Sequence, residues 1–274
     1  FDILVRLSGY SHGTDVWLGN AKDLIMSGTA TVKDTIGCRD DIMLYLISKG
    51  MDPKRSFKIM ESVRKGRGLP DGAEQEMKDA GIPDWYIGSC RKIKYLFPKA
   101  HAVAYVMMAF RIAYFKVHHP LEFYSAYFYR RSQKDAFDAA LMVKGRDFVR
   151  RKINEIRSKA DATQKEEELL TTLESVYEFY CRGFSFAPMD LYECDAVYFL
   201  RVGDRQLRPP FVAISGLGAA AAADLMACRE GGRRFVSVEE LSVSCPKVSR
   251  AHVEQLRDLG ALGDMPDESQ MTLF

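Results

Sequence analysis

The sequence predicts a mainly α-helical protein with a few short strands. Three observations carry this. Apolar residues recur at helical spacing through most of the chain. Helix punctuation is dense, with Pro-Asp openings and glycine stops. Strand-like patterning is confined to residues 1–10 and 197–214.

Residues 1–10, "FDILVRLSGY", read as a strand running into a Ser-Gly turn, and "SHGTDVW" (11–17) as a polar loop anchored by Trp17. "RDDIMLYLISKG" (39–50) places Ile42 with Leu46 and Met43 with Ile47 on neighbouring faces and stops at Gly50, a left-handed terminator. In 52–68, Asp52 is a candidate N-cap and Pro53 a first helical residue, ahead of the basic turn "RKGRG". "PDGAEQEMKDAG" and "PDWYIGSCRKIKYLF" are two shorter helices. Residues 97–120 form the longest, started by Pro98 and stopped by Pro120, with "LEFYSAYFYRR" following. A helical, basic stretch is expected over 131–160 and an amphipathic helix over 165–181, ending near Gly183. Strands are expected within 197–214, and helices again from 214, with a loose end.

The length of 274 residues fits one large domain or two smaller ones. With 47% hydrophobic and 28% charged residues a core is assured, and a net charge of +2 does not by itself announce nucleic-acid binding. The distribution is more telling. Basic runs at 54–67, 91–99 and 130–152 are interleaved with Phe57, Trp85, Tyr95, Phe97, Tyr127, Phe128 and Tyr129, a pattern suited to a phosphate-rich partner as well as to solvated helix faces. Six cysteines show no CxxC or CxxH pairing, so free thiols in a reducing cytoplasm are expected rather than zinc or a disulfide framework. The longest apolar run, "AVAYVMMAF", is far short of the roughly 20 residues of a membrane span. No signal peptide is evident, and a start at Phe1 reads as a piece of something longer.

"PPFVAISGLGAAAAADLMACREGG" (209–232) has a physical logic of its own. Gly216 and Gly218 permit positive φ and outward amides, and the helix beginning at Ala219 adds unpaired N–H groups and a positive dipole end. Together they make an anion site from backbone, suited to a DNA phosphate. "CPKVSRAHVEQLRDLGAL" (245–262) repeats the arrangement around Lys247, Ser249 as N-cap and Arg250. Two such units in series read as a tandem helix-hairpin-helix, which grips duplex backbone without reading sequence. The alternative is a plain glycine-capped helical hairpin. A Walker loop is excluded, because no Lys-Ser/Thr follows the glycines.

Other sites weigh less. Ser11, His12 and Asp15 hint at a hydrolytic triad, but adjacent residues do not normally reach that geometry and no nucleophile elbow surrounds Ser11; a ligand-contacting loop fits better. His118 and His119 suit a C-terminal dipole cap. Lys99 and His101 flank a helix start where the dipole favours an anion, so Lys99 is a triphosphate candidate or a surface lysine. No pair of carboxylates converges as two-metal phosphoryl chemistry requires: Asp40 and Asp41 are adjacent on one helix. The apolar end "QMTLF" either folds back onto the core or fits a pocket on another molecule.

Taken together, "SGYSHGTDVW", "GCRDDIMLYLISKG", "FKIMESVRKGRG", "WYIGSCRKIKYLFPKAHAVAY" and "RIAYFKVHHPLEFYSAYF" closely resemble the fingers of PolC-type replicative DNA polymerase III α subunits of low-GC Gram-positive bacteria. The segment from "PPFVAISGLG" to "QMTLF" resembles their duplex-binding region and carboxyl end; residues 131–200 carry no signature. The resemblance implies fingers helices followed by a tandem helix-hairpin-helix domain, divided as fingers (1–130), a helical basic connection (131–200), a duplex-binding region (201–265) and a clamp-binding tail (266–274). It implies a nucleotidyltransferase that uses dNTPs and Mg²⁺, with the metal held by a palm outside this segment, so that the segment alone is not expected to polymerise. Ser11, His12 and Thr14 would lie beside the base and sugar of the incoming nucleotide. Arg39 and Lys99 would meet the triphosphate with His101 nearby, and Phe97 would wall the pocket. Gly216, Gly218, Ala219, Lys247, Ser249 and Arg250 would hold the duplex. Gln270, Met271, Leu273 and Phe274 would engage the sliding clamp (the β subunit) among other replisome subunits. The competing class is a non-enzymatic helix-hairpin-helix factor that rides the clamp in repair or replication; a nucleotide pocket in 1–130 argues against it.

Overall fold

The opening residues form a helix, not the expected strand. In the computed structural model, which describes residues 1–268, α1 runs Asp2–His12. Its buried residues are Val5, Gly9 and Tyr10, spaced for a helix, while Phe1, Ile3, Leu4 and Leu7 are exposed. A continuous apolar run cannot by periodicity be told from a strand; contact between Gly9 and Gly37 decides it, because α1 crosses the chain there at backbone distance.

The described residues hold fourteen α-helices and one small sheet, in two compact units, Phe1–Ala113 and from Tyr114 onward. In the first, α2 (Lys22–Met26), α3 (Arg39–Ser48), α4 (Pro53–Arg64), α5 (Ala73–Asp79), α6 (Asp84–Lys92) and most of α7 (Lys99–His118) follow α1. The turn between α3 and α4 uses Gly50 at φ 86°, and Asp52 Oδ1 accepts from Arg55 N at 2.8 Å, so the terminator and the cap both form as the sequence predicts. Ile42 and Leu46 of α3 and Ile59, Met60 and Val63 of α4 meet Met77, Tyr86, Ile87 and Cys90 in one core. A buried polar pair locks the loop after α1 to α6: Ser89 Oγ donates to Asn20 Oδ1 at 2.6 Å, and Asn20 Nδ2 donates to Asp15 O at 3.0 Å.

The second unit holds the end of α7, α8 (Pro120–Ser132), α9 (Ala139–Met142), α10 (Arg146–Arg157) and α11 (Gln164–Cys181). Pro120 does more than stop α7: it is the first residue of α8. The continuous helix expected over 131–160 is broken in two. Asp135 takes φ 52°, Asp138 caps α9 through Ala140 N, and Gly145 takes φ 92° before α10. The sheet has order β1-β3-β2, with β2 (Leu200–Val202) and β3 (Gln206–Arg208) antiparallel inside the expected stretch. β1 (Ser185–Phe186), parallel to β3, is an addition too short to show a pattern. Phe128, Phe137, Phe179, Phe186 and Phe199 pack ring against ring, with Phe137–Phe199 and Phe179–Phe186 centroids at 5.0 Å. The same core continues through Phe211, Leu217 and Leu225 to Leu256 and Leu262, so residues 131–200 and 201–265 share it. It is completed by α12 (Ala219–Cys228), α13 (Val238–Ser244) and α14 (Arg250–Asp258). All six cysteines are free thiols, and no described helix is long and apolar enough to cross a membrane.

Candidate nucleotide and duplex sites

In the first unit the site is assembled by backbone ties. Helix α1 ends at Gly13, delivering Ser11 and His12 at its last turn. Thr14 is pinned across the chain: Thr14 N donates to Tyr95 O at 3.0 Å, and Lys94 N donates to Thr14 O at 3.1 Å. That segment leads directly into Phe97, whose carbonyl accepts from Arg39 N at 3.2 Å. The basic turn after α4 closes on the same strip. Leu96 N donates to Arg64 O, and Gly66 sits so tightly on Lys94 that an added Cβ would lie 2.4 Å from its carbonyl oxygen.

The side chains then converge. The His12 ring stacks on Phe97 with centroids at 4.9 Å and an interplanar angle of 23°. Phe97 also meets His101 at 5.7 Å. His12 Nδ1 lies 2.8 Å from Ser8 O and 3.0 Å from Ser11 Oγ. Ser11 Oγ shares that carbonyl at 3.0 Å. Ser11, His12, Thr14 and His101 are exposed and Phe97 half-buried. Sequence reasoning missed Tyr105, an exposed ring 5.3 Å from His12 and 5.8 Å from Phe97. The available signal was its spacing, four residues beyond His101 on one helical face.

The cations stand on a scaffold of carboxylates. Arg64 Nε and Nη2 donate to both oxygens of Glu61 at 2.8 and 3.0 Å, Lys65 pairs with it at 3.2 Å, and Arg39 Nη1 approaches at 3.5 Å. The Arg64 bonds above all hold the Glu61 carboxyl down at about 2. Arg39 Nε also lies 3.8 Å from Asp40 Oδ2, so three cations share two carboxylates and leave a net positive charge beside the Phe97 segment. Lys99 turns elsewhere: its backbone N donates to Asp40 Oδ2 at 2.8 Å and its Nζ lies 4.0 Å from Asp41. A resident carboxylate thus occupies the start of α7, where an incoming anion was expected.

In the second unit, Gly216 takes φ 80° as expected, but Gly218 is extended, at φ −72° and ψ 165°, and serves as the N-cap of α12. One glycine makes the turn; the other leaves room, since a Cβ there would meet nothing within 4 Å. No side chain caps α12. The second hairpin is capped by itself: Ser249 Oγ accepts from His252 N, and Ser249 N donates to His252 Nδ1, both at 3.3 Å. Lys247 N donates to Asp224 Oδ2 at 3.1 Å, bridging α12 to the second turn. A Cβ on Gly216 would lie 3.6 Å from His252 Nε2, so the two turns adjoin. Gly216, Gly218, Ala219, Lys247, Ser249 and Arg250 are all exposed. Gln270, Met271, Leu273 and Phe274 lie outside the described residues. Among the described residues no group of three or more His, Cys, Asp or Glu side chains could hold a metal ion.

Residues 1–81 match the bacterial DNA polymerase III alpha subunit finger domain, and residues 183–271 match the helix-hairpin-helix motif. Over its whole length the chain is 54% identical to the PolC-type DNA polymerase III of Bacillus cereus, 52% to that of Caldanaerobacter subterraneus subsp. tengcongensis and 49% to that of Thermotoga maritima. It corresponds to a segment of PolC-type DNA polymerase III. It spans 19–20% of the length of those relatives. The finger match ends before α6, so Phe97, Lys99 and His101 lie beyond it, while Ser11, His12, Thr14 and Arg39 lie within it. All six hairpin residues fall inside the helix-hairpin-helix match.

Proposed function

We propose that this chain is the nucleotide-positioning and duplex-holding part of a replicative DNA polymerase. The observation that carries this is the stack of His12 on Phe97, edged by Ser11, Thr14 and Arg39, in a chain matched end to end by PolC-type polymerases. An exposed aromatic face beside excess positive charge suits a base and sugar joined to a triphosphate. Phe97, with Tyr105 behind it, supplies a wall. Ser11 and His12 offer polar contacts, and Arg39, supported by Glu61, meets phosphate; Lys99 reaches it only by leaving Asp41. His101 stands at the rim.

Residues 1–130 serve as fingers, 131–200 as their basic connection, and 201–265 as the duplex grip. There, Gly216, Gly218 and Ala219 present the open amides of α12 to one phosphate, while Lys247, Ser249 and Arg250 serve another. Residues 266–274 tether the enzyme to the sliding clamp. Effective concentration lets so short a peptide matter once the duplex is also held. The described carboxylates do not fit Mg²⁺, so metal-assisted transfer of the nucleotide is assigned to a palm supplied elsewhere. The work belongs to a cytoplasmic replisome.

Two measurements test this. When the chain is joined to the remaining domains of a PolC-type relative, His12→Ala should raise the KM for dNTP in primer extension; an unchanged KM would remove the nucleotide role. Clamp binding should be lost on truncation after Ser269, and unchanged binding would remove the tether.

A further inference from the structure

The first unit carries a second concavity, lined by neither His12 nor Phe97 but sharing Lys99 with the nucleotide site proposed above. A cleft of about 420 Å³ joins an aromatic end, formed by Tyr45, Trp85 and Tyr86, to a cationic end formed by Arg6, Lys33 and Lys99. A smaller cleft of about 270 Å³ shares Arg6, Lys33, Lys99 and Asp41 with it, so both open onto one row of cations.

Two of the carboxylates lining these clefts, Asp41 and Asp34, are already committed, while Asp2 lines only the smaller one. Asp41 caps α3, accepting from Gly37 N at 3.0 Å and Cys38 N at 2.9 Å, and receives Arg6 Nη1 at 3.2 Å. Asp34 turns to Thr31, accepting from its N at 2.9 Å and its Oγ1 at 2.5 Å. Arg6 is fixed in place by a 2.6 Å bond to Thr35 O. Lys33 is exposed and makes no ion pair among the described residues, and Lys99 reaches Asp41 only at 4.0 Å. At the other end the buried Tyr86 backs both half-buried rings, at 4.4 Å from Tyr45 and edge-on at 5.5 Å from Trp85.

Rings at one end, and at the other a Lys33 with no ion pair among the described residues and a Lys99 only loosely held by Asp41, fit a nucleobase and its phosphates. We propose that this trough holds unpaired nucleotides of a single DNA strand, a base against Trp85 and Tyr45 and the phosphates along Lys33 and Lys99. The proposal rests on the polymerase reading for its choice of DNA. A duplex hides the base faces that the rings would meet, whereas an unpaired strand offers them. Two clefts sharing one cation row match a repeating phosphate chain better than a single free nucleotide.

The test uses the full chain with a fluorescein-labelled oligothymidylate and, separately, a duplex of equal length. Trp85→Ala and Lys33→Glu should each weaken binding of the single strand about fivefold or more, with duplex affinity unchanged and Trp85→Phe retaining most of the binding. In a Trp17→Phe background Trp85 is the sole tryptophan, and oligothymidylate should quench its emission. Equal single-strand affinity in all variants, or Trp85 emission indifferent to a bound strand, would overturn the assignment. So would a strand that binds no tighter than free dTTP. If Trp85→Ala does not fold, Lys33→Glu, at an exposed position, decides alone. Loss of duplex binding with single-strand binding intact would count against the hairpin grip and leave this site standing.

Discussion

Replacing Gly9 with alanine should destabilise the first unit, although the same change in most helices stabilises. At an unhindered helix interior, Gly→Ala gains roughly 0.5–1 kcal/mol. At Gly9 the new Cβ would lie 2.2 Å from Gly37 O, 2.8 Å from Gly37 C and 2.9 Å from Cys38 Sγ. Two of those atoms are backbone at the entry to α3, so the helices must move apart. Overpacking of this kind costs about 1–3 kcal/mol. After the helix gain is subtracted, the expected loss is about 0.5–2 kcal/mol. Gly88 in α6 is the control: a Cβ there meets nothing within 4 Å, and Gly88→Ala should stabilise by about 0.5–1 kcal/mol. Both tryptophans, Trp17 and Trp85, lie in the first unit, so tryptophan emission during urea unfolding reports that unit. With slopes of about 1–3 kcal/mol per molar urea, a change of this size moves the midpoint by tenths of a molar. A higher midpoint for Gly9→Ala would refute the close crossing of α1 over Gly37, and with it the backbone frame that delivers Ser11 and His12.

Three further outcomes are expected. Glu61 is held at about 2 in the folded chain, below its ordinary 4.5, so its contribution to stability is full above pH 4.5 and lost as pH falls towards 2; Glu61→Gln should flatten the acid limb of the first unit's unfolding curve, and an unaltered limb would contradict the network. Gly216→Ala forces a side chain into φ 80° at a cost of about 1 kcal/mol and should weaken duplex binding in a shift assay, whereas Gly218→Ala, extended and unobstructed, should leave the fold's melting temperature unchanged. Thr163 and Glu166 cap α11 reciprocally, so Thr163→Ala should cost about 1 kcal/mol in the second unit, measured by calorimetry.

Much of the fold was legible because helix boundaries are local chemistry. Asp52, Pro53, Gly50 and Ser249 mark ends through bonds within a few residues, and those ends form where they were read. The run at 1–10 was illegible for the opposite reason: nothing local separates a buried strand from a helix with an apolar outer face, and contact with Gly37, far along the chain, makes the choice. The break at 133–145 likewise depends on Asp135 in a left-handed conformation, which composition does not announce.

The candidate sites divide in the same way. Sequence by itself determined the family resemblance, the helical class and the residue types at each turn, because motifs and caps are written in short stretches. Tertiary structure decided which residues meet. It stacked His12 on Phe97 across more than eighty positions, added Tyr105 to them, gave Asp40 the start of α7 and set Gly216 against His252. Such encounters come from packing distant segments into shared cores, and no window of sequence contains both partners.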